Sequence, residues 1–486
     1  MNKICNVGLV QMREGITFDD VLLVPKRSSV SSRKDIDTST YLSRNIKLNI
    51  PIVSSNMDTV TESNMAIVMA QEGGIGIIHR FLTVEDQVSE VTKVKRSEMF
   101  RIDHPYCLSP SHTIEDARNL IKEKGISGIL VTENGNKLVG ILTNRDLMFE
   151  EDGIKKISEL MSTDLITASP RTTIEEAEKI LQKNRIEKLP LVDENKNLKG
   201  LITSKDIIKS KILPNASKDA KGRLLVGAAI GVRGDYLRRA EELINVDADV
   251  LVLDIAHGHS DLGINAMKEI RKNFGNIELI AGNVATIEGT KDLINAGADG
   301  IKVGVGPGSI CITRIVTGCG VPQLTAIEDS LSVSKDHGVP LIADGGIRNS
   351  GDIAKAIAVG ASTVMIGGLL AGTEESPGTS ILRQGRRFKV VRGMASTFAT
   401  LGREEREKKG SFDEMDLGSI VPEGVEAMVP YRGNTSEVLN QLVGGLRSGM
   451  SYCGSASIKE MQEKAEFIRI TSAGRRESTS HDVELI

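Results

Sequence analysis

Eight short apolar runs constrain this chain more than any other feature. They are PIVSSNMD (51–58), GIGIIH (74–79), LLVGAAIG (224–231), VLVLDIAHG (250–258), IELIAGNVAT (277–286), GIKVGVGPG (300–308), PLIADGG (340–346) and TVMIGG (363–368). Most break off at Gly, Ser, Asn or Asp. Helical patterns such as ESNMAIVMAQEG, DLGINAMKEIRKNFG, IEGTKDLINAGA and SGDIAKAIAVGA separate most of them. Val/Ile/Leu-rich strands alternating with helices indicate an α/β protein with a parallel sheet. Eight units are the count of a (β/α)8 TIM barrel. An open doubly wound sheet would show the same alternation, because strand order is invisible in a sequence.

In a barrel the chemistry sits at the C-terminal strand ends. Those ends carry Ser55-Asn56-Met57-Asp58, His79, Asp254 to His259, Asn283, the Gly304–Cys311 loop, Asp344-Gly345-Gly346 and Gly367-Gly368. The loop Gly304-Val305-Gly306-Pro307-Gly308-Ser309-Ile310-Cys311-Ile312-Thr313-Arg314 is the sharpest local signal. Its glycines permit left-handed backbone and close ligand approach. It is not a dinucleotide fingerprint, since Ser309 stands where GxGxxG needs glycine. Cys311 ends the loop and is the candidate nucleophile, attacking an electrophilic carbon as thiolate. Cys5, Cys107, Cys319 and Cys453 read as ordinary small apolar residues. The glycine turns after the seventh and eighth runs suit a phosphate, with Asp344 accepting from ribose hydroxyls and Ser350 or Thr363 capping nearby elements. Asp254 could hold a ribose or an amide. A metal reading of His257 and His259 is weak.

A second pattern interrupts the first. Thr113 and Thr173, Gly140 and Gly200, and Asp146 and Asp206 each stand 60 residues apart in matching stretches. A unit of about 50 residues thus occurs twice: helix, strand, turn, strand, helix. The domain reading is barrel over 1–95, a tandem repeat over 96–212 (copies at about 97–152 and 157–212), and barrel again over 213–486. A charged stretch from Arg403 to Lys409 lies in a long excursion after the eighth strand, where a lid could be.

Composition narrows the class. Lys plus Arg total 61 against 65 Asp plus Glu, a balance that argues against general nucleic-acid or membrane-surface binding. Five cysteines form no CxxC pair, which fits a reducing cytoplasm and argues against a disulfide scaffold or structural zinc. No signal peptide and no run near 18 apolar residues is evident.

With these residues assembled, the chain resembles the inosine monophosphate (IMP) dehydrogenase family nearly end to end. The motifs are GITFDDVLLVP (15–25), SSNMDTVTE (54–62), VGVGPGSICITRIVTGCGVPQ (303–323), IADGGIR (342–348), MIGGLLAGTEESPG (365–378), PEGVEAMVPYRG (422–433), GGLRSGMSYCG (444–454) and EFIRITSAG (466–474). The repeat resembles a tandem pair of cystathionine-β-synthase (CBS) domains. The resemblance implies that Cys311 attacks C2 of IMP, that hydride passes to NAD+, and that water hydrolyses the resulting thioimidate to xanthosine monophosphate. Thr313 matches the active-site threonine beside the nucleophile. Ser55, Met57, Asn283, Ser309, Asp344, Gly345, Gly346, Gly367, Gly368, Arg392, Gly393, Met394 and Glu423 match substrate positions. Asp254, Ala256, Gly304, Val305 and Gly306 match the cofactor positions. Carbonyls of Gly306, Gly308 and Cys311 match a potassium site, which Glu477, Ser478 and Thr479 of a neighbouring subunit complete. A homotetramer follows, with an octamer as the larger assembly. Thr143 with Asp146 and Thr203 with Asp206 match positions where CBS pairs hold an adenine or guanine nucleotide.

Three departures stand out. The family's flap, within about 390–430, carries an Arg-Tyr pair whose Arg activates water; the corresponding stretch TLGREEREKKGSF (400–412) has no Tyr. Arg406 is the nearest alignable Arg, with Arg403 second. Val391 stands where Tyr usually precedes Arg-Gly-Met, removing one phosphate contact. Ala395-Ser396 follows that Met, where the family usually has Gly-Ser. The sister activity, GMP reductase using NADPH, shares the barrel, the Cys and the Thr, and the insertion and several motifs point away from it. A purine-nucleotide sensor without turnover is the non-enzymatic alternative, disfavoured by retention of Cys311 and Thr313.

Overall fold

A computed structural model of the chain describes residues 5–7, 10–97, 102, 105–134, 136–205, 207–208, 213–396 and 421–480. Two compact units result: residues 1–97 with 215–486, and residues 98–214.

The first unit is a closed barrel of eight parallel strands in sequential order. They are β1 (Ile52–Ser54), β2 (Ile75–Ile78), β3 (Val226–Ile230), β4 (Val250–Asp254), β5 (Glu278–Val284), β6 (Gly300–Val303), β7 (Leu341–Asp344) and β8 (Thr363–Ile366). All eight coincide with the apolar runs, and closure excludes the open sheet. Eight helices follow the strands: α1 (Ser63–Gln71), α2 (Val84–Ser97), α3 (Tyr236–Asn245), α4 (Asp261–Phe274), α5 (Ile287–Asn295), α6 (Gln323–His337), α7 (Ser350–Val359) and α8 (Thr435–Tyr452).

Local chemistry sets the helix ends. The side chains of Ser260, Thr286 and Asn349 accept the amides of Gly263, Gly289 and Asp352 and start α4, α5 and α7. Asn349 is therefore the cap that Ser350 was expected to help form. Ser350 instead packs against α8, where a Cβ on Gly445 would lie 2.1 Å from its hydroxyl. Thr363 is a buried strand residue and caps nothing.

Strand alternation divides the apolar side chains into two layers. Leu251, Leu253, Ile301, Val303, Leu341 and Ala343 point out against the helices. Val53, Ile77, Val250, Val252, Ile342 and Met365 fill the lumen. The hairpin of Thr40–Tyr41 with Lys47–Leu48 closes the N-terminal end, adding Leu42, Ile46 and Leu48 to that lumen cluster. After β8, strands Ser380–Arg383, Arg386–Arg392 and Glu426–Pro430 form a small antiparallel sheet. Among the described residues no helix is long and apolar enough to cross a membrane.

The second unit lies between α2 and β3. Its first half pairs Gly128–Glu133 with Lys137–Thr143 beside helix Ile114–Lys124. Its second pairs Lys188–Val192 with Leu198–Thr203 beside helix Ile174–Asn184. Capping boxes at Thr113/Asp116 and Thr173/Glu176 start the two helices. Each half has its own core, and Leu130, Leu138, Leu198 and Leu201 pack between them. The amide of Leu138 donates to Lys196 O and that of Leu198 to Asn136 O. These two bonds exchange under the 60-residue offset, as a two-fold relation between the copies requires.

Lys95, near the end of α2, is buried and donates to Asp249 at 2.6 Å, Asp219 at 3.1 Å and Leu224 O at 3.1 Å. Removing one partner of such a group strands the others in low dielectric. Lys95→Met is expected to cost the barrel about 3–5 kcal/mol, read as a lower urea midpoint; an unchanged midpoint would contradict the assignment.

Candidate active site

Alternation carries straight into chemistry at the strand ends. Continuing the inward positions of β4 beyond Val250 and Val252 gives Asp254; continuing β7 beyond Ile342 gives Asp344; β1 leads from Val53 to Ser55. On β6 the inward position is Lys302, 4% exposed. Its ammonium lies 2.8 Å from Asp344 Oδ2 and 4.0 Å from Asp254 Oδ1. Gly282 makes room for it, since a Cβ there would sit 2.7 Å from Lys302 Cβ. The register slips between Gly282 and Val284, and this irregularity aims Asn283 inward. Its amide donates to Gly304 O at 2.7 Å and Asp344 Oδ2 at 2.9 Å. Arg80 donates to Asp254 Oδ2 at 3.2 Å.

Burial alone would raise the Asp254 pKa, but Arg80, Lys302 and a hydrogen bond from Asn56 hold it below the usual carboxylate value. Burial would likewise lower Lys302, and Asp344 with Asp254 push it above the ordinary lysine value. The mouth is thus a fixed pattern of charges with carboxylate oxygens turned toward a cavity.

The glycine loop wraps one wall. Gly304 (φ 150°) passes so close to β7 that a Cβ would lie 2.1 Å from Asp344 O. An antiparallel bridge then joins Cys311 to Gly424, with Ile312 N donating to Glu423 O at 2.8 Å and Val425 N to Ile310 O at 3.0 Å. That bridge sets Glu423 beside Thr313 and Cys311. Thr313 Oγ1 donates to Glu423 Oε2 at 2.7 Å and lies 3.1 Å from Cys311 Sγ. The hydroxyl can take a proton from the thiol side while handing its own to the carboxylate.

Two adjoining cavities share Ser55, Met57, Pro307, Gly308, Ile310, Asp344 and Gly345. The first, about 210 Å³, holds Cys311, Thr313, Glu423, Asn283, Lys302 and Asp254, with Ala256, Gly304, Gly306, Gly393 and Met394 also on its wall. The second, about 330 Å³, is lined by Ser309, Gly346, Gly367 and Gly368 together with Arg348 and Arg432. Ser309 Oγ faces Gly368, 3.2 Å from where a Cβ would stand.

Other expected residues lie elsewhere. Arg392 lines neither cavity and pairs with Asp58, its Nε 2.6 Å from Oδ2. Val305 also lines neither; its carbonyl accepts from Arg314 Nε at 3.2 Å. Val391 is buried. Glu477 ends the short helix Ser472–Glu477, and Ser478 and Thr479 follow it as exposed residues. His259 pairs with Asp292 at 3.0 Å. In the second unit, Asp146 Oδ2 accepts from both the amide and the hydroxyl of Thr143 at 2.7 Å, a capping box that starts helix Asn144–Leu147. Thr203 ends its strand. Arg403, Arg406 and Asp206 lie outside the described residues. Lys302, Arg80 and Arg432 were missed from sequence; the one signal available was an inward-parity lysine inside an apolar strand.

Fold and site together define a TIM-barrel enzyme with a cysteine, a threonine and a glutamate in contact at the mouth. A family model described as IMP dehydrogenase / GMP reductase domain matches residues 15–481, and the chain belongs to that family. It is 56% identical over 477 residues to an inosine-5′-monophosphate dehydrogenase from Nitrosopumilus maritimus (strain SCM1), covering 98% of this chain and 100% of that protein. It is 49% identical over 486 residues to a GMP reductase from Leishmania donovani, covering 98% of each. A solved structure of GMP reductase from Trypanosoma brucei in complex with guanosine 5′-monophosphate superposes with TM-score 0.90 at 47% identity, covering 97% of this chain and 99% of that one. These full-length matches correct one expectation: the insertion does not separate the dehydrogenase from the reductase.

Removing the central cation should leave Asp254 facing the cavity with less positive charge beside it, raising its pKa. In Lys302→Met the acid limb of the kcat/KM profile is expected to move to higher pH. An unmoved limb would show that Lys302 does not hold Asp254 ionised.

Proposed function

We propose that the chain is an NAD-dependent IMP dehydrogenase, oxidising C2 of IMP to yield xanthosine 5′-monophosphate. The observation that carries this reading is the contact chain Cys311–Thr313–Glu423 at the mouth, in a chain 56% identical along its length to a dehydrogenase. Cys311 Sγ bonds to C2 of IMP, its proton passing through Thr313 toward Glu423. Bound NAD+ supplies the acceptor for the hydride that leaves C2. Water then adds to C2 of the thioimidate and the C–S bond breaks, returning the thiol and leaving the new oxygen on the purine. The Glu423–Thr313 relay returns its first proton to the departing sulfur and can then accept the water's proton, which is released to solvent. Arg406, with Arg403 second, is our assignment for a further water-activating group.

Asp344 and Asn283 would position the IMP ribose, Ser55 and Met57 the nucleotide's flank, and Gly393 and Met394 the base. Ser309, Gly345, Gly346, Gly367 and Gly368 would face its phosphate. Asp254, ionised and turned to the cavity beside Ala256, suits ribose hydroxyls of the cofactor, with Gly304 to Gly306 allowing close approach. Potassium suits the loop: among the described residues the carbonyls of Gly306 and Cys311 accept no hydrogen bond, and that of Gly308 accepts only from Cys311 N at 3.1 Å. These three carbonyls, with Glu477, Ser478 and Thr479 of a neighbouring copy in a homotetramer, would hold the ion. It would supply fixed positive charge and loop rigidity. We read the second unit as a tandem CBS pair taking an adenine or guanine nucleotide at Thr143/Asp146 and Thr203/Asp206.

A second reading, GMP reductase, draws on the Leishmania and Trypanosoma relatives and on the absence of Tyr from residues 400–412. The test is the absorbance of reduced nicotinamide on mixing the full chain with IMP, NAD+ and potassium. Sustained turnover is expected, abolished in Cys311→Ala and reduced about 10²- to 10⁴-fold in Glu423→Gln. NADPH oxidation with GMP, and none of the first reaction, would replace this reading with the reductase.

A further inference from the structure

The second cavity is built to receive an anion, yet most of its donors are neutral. Gly346, Gly367, Gly368 and Ser309 offer amides and a hydroxyl. A phosphate monoester carries about −1.5 to −2 charges near neutral pH. Two arginines line the same cavity, and their surroundings differ sharply.

Arg348 is committed. Its guanidinium donates to Asp19 at 2.6 and 2.8 Å and to Asp352 at 3.1 and 3.3 Å. Its donors are already engaged by these two carboxylates, one of which, Asp19, also meets Arg475 at 2.7 Å.

Arg432 is uncommitted. It follows the strand Glu426–Pro430, and its amide is pinned to Gly372 O at 2.9 Å. Its guanidinium has no ion pair or hydrogen bond among the described residues, although it is exposed. The carboxylates nearest in sequence to this anchor are occupied elsewhere. Glu374 faces Arg387 at 3.7 Å, and Arg387 also stacks over Tyr431 at 4.9 Å. Glu375 accepts the amide and hydroxyl of Thr435 at 2.9 and 2.8 Å. Asp344 is the one carboxylate on the cavity wall, and Lys302 and Asn283 hold its Oδ2.

We propose that Arg432 is a phosphate-binding residue for the 5′-monophosphate of the substrate, supplying the positive charge that the glycine amides lack. An arginine fork suits three equivalent phosphate oxygens. The assignment rests on the reading of a purine 5′-monophosphate as substrate, but not on the choice between IMP and GMP, which carry the same phosphate.

Calorimetric titration of the full chain with IMP tests it, comparing wild type, Arg432→Ala, Arg432→Lys and Arg387→Ala. Arg432→Ala is expected to weaken IMP binding about 10- to 100-fold, the range of a hydrogen bond to a charged group. Arg432→Lys should recover most of that loss, and Arg387→Ala should bind IMP as wild type does. Inorganic phosphate should compete with IMP in wild type and lose that effect in Arg432→Ala. In steady state the defect should fall on the KM for IMP rather than on kcat or the KM for NAD+. Unchanged IMP affinity in Arg432→Ala would overturn the proposal. So would an equal loss in Arg387→Ala, or a parallel fall in affinity for NAD+. If wild type binds IMP but turns over only GMP, the dehydrogenase reading fails and this titration still decides the role of Arg432.

Discussion

Side chains on a strand alternate, and a closed barrel allows them two destinations: the helix layer or the lumen. Everything at this site follows from that limit. The lumen is apolar through most of its depth, so a polar residue at an inward position is tolerated only where it meets a partner or the open mouth. Asp254, Asp344 and Lys302 take those positions on three different strands and satisfy one another. Replacing any of them changes the charge felt by the other two, because the buried Lys302 ammonium faces both carboxylates. The carboxylates at the mouth are therefore one electrostatic unit rather than two independent contacts.

How much of this is legible in the sequence follows from how far each interaction reaches along the chain. The strands are visible because each is a local apolar run. Asp254 and Asp344 are visible because they end such runs. Lys302 is harder: within one strand it looks like an interruption, and its meaning appears only when two neighbouring strands bring carboxylates to it. Asn283 depends on a register slip that no residue pattern announces. The Thr313–Glu423 bond spans 110 residues, and Arg348 is held by Asp19 from 329 residues away. Resemblance to a family located several of these residues but not their partners. It placed Arg392 among the ligand contacts, whereas here Asp58 holds it.

The inserted unit shows the same economy of local rules. A threonine-led capping box opens each of its two longer helices, and two hydrogen bonds join the copies through the same repeat position. A duplicated sequence that packs on itself by one such pair acquires an approximate two-fold relation, although the first copy has a three-stranded sheet and the second a two-stranded one. Thr143 and Asp146 already satisfy each other. A nucleotide entering there has to add to that bond or exchange for it, so binding would be felt at the start of the helix they cap.

The dehydrogenase and the reductase share a problem that the described residues address in one way. In both, sulfur joins C2 and a hydride moves; they differ in whether water arrives or ammonia departs. A hydroxyl held between a thiol and a carboxylate can pass a proton in either direction, so Cys311, Thr313 and Glu423 do not by themselves favour water over ammonia. The second cavity, on our proposal that it takes the phosphate, would not discriminate either, since IMP and GMP carry the same phosphate. Selection therefore has to come from groups that meet C2 and its substituent, and from the timing with which the cofactor clears that space. In this chain Glu423 and Gly393–Met394 bring the small antiparallel sheet to the cavity wall.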